Sequence, residues 1–340
     1  MYSMYRVLSV GRRALGNVGI GGWVLKRSGC GAGRTLVRGL AAASGSRIGE
    51  IVDLAARTKP LKDAIKYLQT TNDQLLIWTN SDVKKHTDAF ANGLLASGFS
   101  AGDKIAVWMP TGSIEYTVSI LGAAKAGITL VTIDPPEDPT SADLGKVRGA
   151  LETYKPKGLI LWSEYGANDP EQDGITGILS SLFPDKPTER SLRSMFTKST
   201  GIKLSVGSKY PSLEYVFHTG QQNIRGTLNF KNLLLYSSET PRSTANGEED
   251  VLICASSGEK LSADALIASA KTLSRDLKLS SNQDEKEGKA VLRTTDVADG
   301  TVAKGLVAAM MSESLFISPS YKPVGDISSE TAAREDAVVL

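Results

Sequence analysis

Between Leu75 and Pro135 the chain alternates short apolar runs with amphipathic stretches, and two of those stretches end at a glycine. No other feature constrains the fold as strongly. Gln74-Leu75-Leu76-Ile77-Trp78 is a strand-like run. Thr79 to Ser81 then supply caps for a helix from about Asp82 to Ser97, with Val83, Phe90 and Leu94 on its apolar face and Gly98 as a left-handed stop. Ala101-Gly102-Asp103 is a turn, residues 104–109 a buried strand, and Pro110 its end. A helix over 113–126 closed by Gly127, a β-branched run over 128–133 and the stop Asp134-Pro135-Pro136 follow. A helix near 141–154 and a strand at 158–162 extend the series. Strand–helix–strand units at this spacing predict an α/β fold with parallel-sheet layers covered by helices.

The flanking segments are read the same way. Residues 53–68 carry Leu54, Leu61, Ile65 and Leu68 at helical spacing, with Pro60 breaking or restarting the helix. Residues 163–210, rich in Gly, Asp, Ser, Lys and Pro, read as an irregular insert with one short helix at 178–182. Beyond it the pattern predicts strands at 213–217, 251–255, 290–294 and 314–318. It predicts helices at 263–277 and 302–311, with a short helix or lid at 229–236. Residues 323–340 read as a tail.

Residues 1–47 hold eight Arg or Lys and no Asp or Glu, so the remaining chain is mildly acidic although the whole carries +2. Tyr5, Val7, Leu8, Val10 and Leu15 gather on one side of a helix, with Arg6, Arg12 and Arg13 towards the other. That is the composition of a mitochondrial targeting peptide, with 37–44 as its processing region. It implies the matrix, or the matrix side of the inner membrane. A plastid address and an unaddressed basic terminus are the alternatives. The acidic body carries no footprint for nucleic acid, and no apolar run reaches the ~18 residues of a membrane span. Of the two cysteines, Cys30 lies in the leader and Cys254 in the body, so no internal disulfide and no zinc spacing is expected. His86 and His218 read as ordinary imidazoles, and Glu115 and Asp134 as isolated carboxylates.

The order of the elements from Leu75 to Pro135 resembles the start of acyl-CoA synthetases and other adenylate-forming enzymes. The resemblance rests on Leu94 to Gly98, Gly102-Asp103, Ile105 to Pro110 and Lys125-Ala126-Gly127. It continues through Tyr210 to Gly220, Glu248 to Gly258 and Lys304 to Ser318, covering about 50–322. It implies the large N-terminal domain of that family over 48–322, lacking the small C-terminal domain that brings a catalytic lysine. It also places Ser256, Ser257 and Gly258 at the first three positions of the family's phosphate-binding loop, a degenerate cofactor-binding site at most.

Counted forward without gaps, the loop then fails. Glu259 and Lys260 stand for hydroxyl residues, Leu261 for a second glycine, Ala263 for Pro and Asp264 for Lys. Leucine does not readily adopt a positive φ. At ~6 Å and an effective dielectric of ~20, each carboxylate repels a phosphate charge by roughly 2–3 kcal/mol. The resulting expectation is a pseudoenzyme with no catalytic residues, no metal and no cofactor. It would serve as an accessory subunit of a large mitochondrial complex, the respiratory chain or ATP synthase favoured. Its partners would be other subunits of that complex, with possible contact to membrane subunits through 163–210 and 323–340. The alternative is an acyl-CoA ligase fragment, or an acyl- or nucleotide-binding protein active only with a second chain.

Overall fold

The computed structural model describes residues 48–69, 74–136, 144–165, 174–183, 209–220, 227–237, 239, 250–279, 290–292, 300–319 and 337–339. The leader, most of 163–210 and the charged loop 280–289 lie outside them. Among the described residues no helix is long and apolar enough to cross a membrane.

Helix α1 (Ile48–Thr58) opens the fold, and strand β1 (Asp63–Gln69) follows it. The single helix expected over 53–68 is therefore two elements. Pro60 ends the first, and Leu61 points to solvent at 83% exposure. Ile65 and Tyr67 lie in a strand that pairs antiparallel with β2 (Gln74–Thr79). Of the four apolar residues read as one helical face, Leu54 lies in α1, Leu61 in the turn, and Ile65 and Leu68 in β1, where strand pairing and not spacing sets the structure.

Helix α2 (Asn80–Ala96) starts at a reciprocal cap: the Thr79 hydroxyl accepts from the Asp82 N–H, and the Asp82 carboxylate accepts from the Thr79 N–H. Strand β3 (Lys104–Trp108), helix α3 (Ile114–Ala126), β4 (Thr129–Ile133), α4 (Leu144–Tyr154), β5 (Gly158–Leu161) and α5 (Gly174–Leu182) continue the alternation. Then come β6 (Tyr215–His218), β7 (Leu228–Asn229), α6 (Phe230–Leu233), β8 (Asp250–Cys254), β9 (Lys260–Ser262) and α7 (Ala263–Asp276). The chain finishes with β10 (Ala290–Leu292), α8 (Thr301–Met311), β11 (Phe316–Pro319) and β12 (Ala337–Val339). The last of these lies within the stretch expected to be a tail, and pairs parallel with β10.

Two sheets result. The larger has the order β7-β6-β5-β3-β4-β8-β9, parallel except for the edge strand β9. The smaller has the order β12-β10-β11-β1-β2. One face of the large sheet is sealed by Val147, Ala150, Leu151, Ile178 and Leu182 of α4 and α5, packed on Trp108, Val131, Leu159 and Ile253. Tyr165 and Tyr210, both expected in the insert, lie in that same core. Each fully buried aliphatic side chain contributes roughly 1.5–3 kcal/mol to this packing. A hydrogen bond from the Ser318 hydroxyl to the Gly112 carbonyl, 3.2 Å, ties β11 to the loop after β3 and so joins the two sheets.

Candidate functional site

In an open parallel sheet, connections leaving neighbouring strands in opposite directions open a crevice beyond the strand carboxyl ends. The chain leaves β4 to return across β3 to β5, whereas it leaves β8 for the edge strand β9. The crevice therefore lies between the ends of β4 and β8, at Asp134 and Ala255. The ends of β3 and β5 are closed instead: Trp108 and Tyr165 are buried there, with ring centroids 4.8 Å apart.

Ser256, Ser257 and Gly258 sit at the β4–β8 crevice, exposed, immediately after β8 and one short strand before α7. They form a tight hairpin. The Gly258 N–H donates to the Cys254 carbonyl at 2.8 Å, the Cys254 N–H donates to the Glu259 carbonyl at 2.9 Å, and the Glu259 N–H donates to the Ser257 hydroxyl at 3.2 Å. Gly258 takes a φ of 72°, the left-handed region the turn requires. The Ser256 hydroxyl donates to the Asp134 carboxylate at 3.3 Å, and the Trp108 indole N–H to the Asp134 carbonyl at 3.1 Å. Asp134 is thus part of the loop's surroundings and not an isolated carboxylate.

This geometry corrects the ungapped reading of the loop. Lys260, Leu261 and Ser262 form β9, antiparallel to β8. Leu261 is a buried strand residue and is not asked for a left-handed φ. Ala263 and Asp264 belong to the first turn of α7, where an acidic side chain suits the helix dipole. Of Glu259 and Asp264, the two carboxylates expected in the loop, Glu259 alone adjoins it, and Lys304 on α8 pairs with it at 2.8 Å. Counting residue for residue thus assigned loop roles to a strand and a helix. Lys304 and Asp134 were missed as neighbours of the loop because they reach it only through tertiary packing.

The remaining titratable candidates lie elsewhere. His86 stacks on Trp78 with centroids 4.4 Å apart, and burial, helped by Lys85, lowers its pKa below the usual imidazole value. His218 is buried at the end of β6, where its Nδ1 accepts from the Gly220 N–H at 3.2 Å. Burial raises the Glu115 carboxyl above the ordinary range, with Glu164 adding to the shift and Lys231 opposing it.

A parallel-rich sheet covered by helices is the fold that this chain shares with solved adenylate-forming enzymes. Residues 52–203 match the AMP-binding enzyme family and are an AMP-binding domain segment, homologous to acyl-CoA ligases and representing the N-terminal part of that family. The medium-chain acyl-CoA ligase ACSF2, mitochondrial, of Pongo abelii is 33% identical over 88 residues, 26% of this chain and 14% of the ligase. Its Homo sapiens counterpart is 32% identical over the same length. The Mycobacterium tuberculosis fatty acyl CoA synthetase superposes with a TM-score of 0.60 at 15% identity, over 86% of this chain and 48% of that one. The acetoacetyl-CoA synthetase from Streptomyces lividans gives 0.62 at 18% identity, over 86% of this chain and 42% of that one. The chain thus spans about half the length, or less, of these proteins.

These relatives overturn two expectations. They are ligases, so an accessory subunit of a respiratory complex or ATP synthase finds no support among them, and neither does a catalytically dead chain. The case for inactivity had rested in part on Leu261 and Asp264 as loop residues, and neither is one; its other part was the expected lack of the small C-terminal domain.

Proposed function

We propose that this chain contributes the carboxylate-activating site of an acyl-CoA ligase. A carboxylate oxygen of the acid attacks the α-phosphorus of ATP. The bond from that phosphorus to the bridging oxygen breaks, and pyrophosphate leaves an acyl adenylate. A thiolate then attacks the acyl carbon, and AMP departs. One observation carries the reading: the exposed Ser256-Ser257-Gly258 turn stands at the β4–β8 crevice of a fold shared with acyl-CoA synthetases. The Ser257 hydroxyl accepts from the Glu259 N–H and keeps its own hydrogen for a phosphate oxygen, the Ser256 hydroxyl would donate there on leaving Asp134, and Gly258 holds the turn in the left-handed region. Stabilising the charge of the transferring phosphoryl group is the catalytic task such a loop serves.

The relatives named as medium-chain ligases make medium-chain fatty acids the first substrates to try. Their mitochondrial names and the acid-free basic leader of this chain support a mitochondrial matrix location, which a fusion to a fluorescent protein tests directly. For the activity, the measurement is exchange of labelled pyrophosphate into ATP, with acids of graded chain length. Acid-dependent exchange is expected. Exchange that appears only on adding a second purified chain assigns the site to a two-chain ligase. Its absence with every acid and every added chain ends the proposal.

A further inference from the structure

The hairpin carries the exposed Lys260 on β9, and a second cation meets it from outside. Lys304, on α8, places its ammonium 2.8 Å from Glu259 Oε1, one residue past Gly258. Close approach of the α8 start makes this possible. A Cβ on Gly300 would lie 3.2 Å from Leu261 Cδ1, 3.4 Å from Cys254 Sγ and 3.5 Å from Glu259 Oε2, so the bare glycine lets the first turn of α8 abut the hairpin.

We infer that Lys304 is the cation that neutralises a polyphosphate at the Ser256–Gly258 turn, and that Glu259 is a built-in competitor holding it until the anion arrives. The inference rests on the ligase reading of the same loop. Both side chains of the pair are partly open to water, at 25% and 36% exposure. An ion pair of that kind contributes little to stability and is easily exchanged. A triphosphate offers several negative oxygens where Glu259 offers one charge, and the two serine hydroxyls stand beside it. On exchange Lys304 turns from Glu259 to the anion, and Glu259 is released to solvent. Until then Glu259 offsets the charge of Lys304, and the affinity is set by the difference between two anions competing for one ammonium.

The test is calorimetric titration of the full chain and its variants with ATP and, separately, with inorganic tripolyphosphate. Glu259→Gln removes the competitor and leaves the lysine, so both anions bind about tenfold more tightly. Lys304→Gln weakens both about tenfold or more. In the double variant Glu259→Gln has no further effect. Melting temperatures of all three stay within a few degrees of the parent, because the pair is solvent-exposed. If parent and variants bind alike, the latch is wrong and the loop reading survives. If nothing binds either anion, Glu259→Gln included, both fail. A purely structural pair shows as lowered melting temperatures with unchanged affinity, and that also overturns the inference.

Discussion

Lys125, near the end of α3, places its ammonium 2.7 Å from the Asp53 carboxylate on α1, and that contact anchors the first helix of the fold. Lys125 also pairs with Asp88 of α2, whose side chain is fully buried, and Lys84 reaches the same carboxylate. Three helices therefore share one desolvated charge cluster. Such clusters add little net stability when complete, but removing Lys125 is costly because two carboxylates are left to share Lys84. Lys125→Met is expected to cost about 3–5 kcal/mol, read from urea denaturation midpoints. Adding Asp88→Leu to it should restore much of the loss.

Gly93 marks a second contact of the same region. A Cβ there would come within 2.5 Å of the Leu233 carbonyl oxygen and 2.8 Å of Leu233 Cα, both backbone atoms of α6. Backbone cannot yield as a flexible side chain does. Gly93→Ala should destabilise by roughly 1–3 kcal/mol despite the better helix propensity of alanine. Hydrogen exchange should localise the damage to α6.

Gly258 offers a contrast. Nothing lies within 4 Å of a Cβ there, so substitution costs only the backbone conformation. Gly258→Ala should lose about 1–2 kcal/mol, and Gly258→Asn less, since asparagine tolerates the left-handed region better. Thermal denaturation of the two variants against the parent measures this. Equal losses in both would sink the assignment of the turn's strain to φ.

Glu115 gives a dependence on pH. Burial raises its carboxyl above the ordinary value, so the folded protein holds the proton more tightly than the unfolded chain does. The contribution of this group is therefore most favourable in acid, and it is lost as pH rises through the ordinary carboxylate range. Glu115→Gln should be more stable than the parent at neutral pH, and the difference should close on acidification. Denaturation midpoints across the acid range provide the check, and a gap that widens in acid contradicts the assigned direction.

Most of the large sheet was legible because its signals are local. The Thr79 cap, the Ser113 cap and the left-handed Gly127 each read as boundaries, and each is one. Strand β1 was not legible, because Ile65 is ordered by pairing with Phe316 far along the chain. Strand β9 was missed for a related reason: three residues carry no period of their own and become a strand only against Asp250–Cys254. At the candidate site, Ser256 to Gly258 were singled out through their resemblance to a known loop. Lys304 was not, since no spacing in the sequence announces that a residue of α8 will face Glu259.

The pairing of Ile65 with Phe316 also orders events during synthesis. On a ribosome, β1 and β2 emerge early and can close their hairpin at once. The inner edge of β1 must then wait, unsatisfied, until β11, far along the chain, has been made. The seven-stranded sheet, whose strands all precede β10, is free to assemble in the meantime. Vectorial folding would leave the five-stranded sheet as the last piece to knit, and β1 as the segment most in need of protection from stray strands until then.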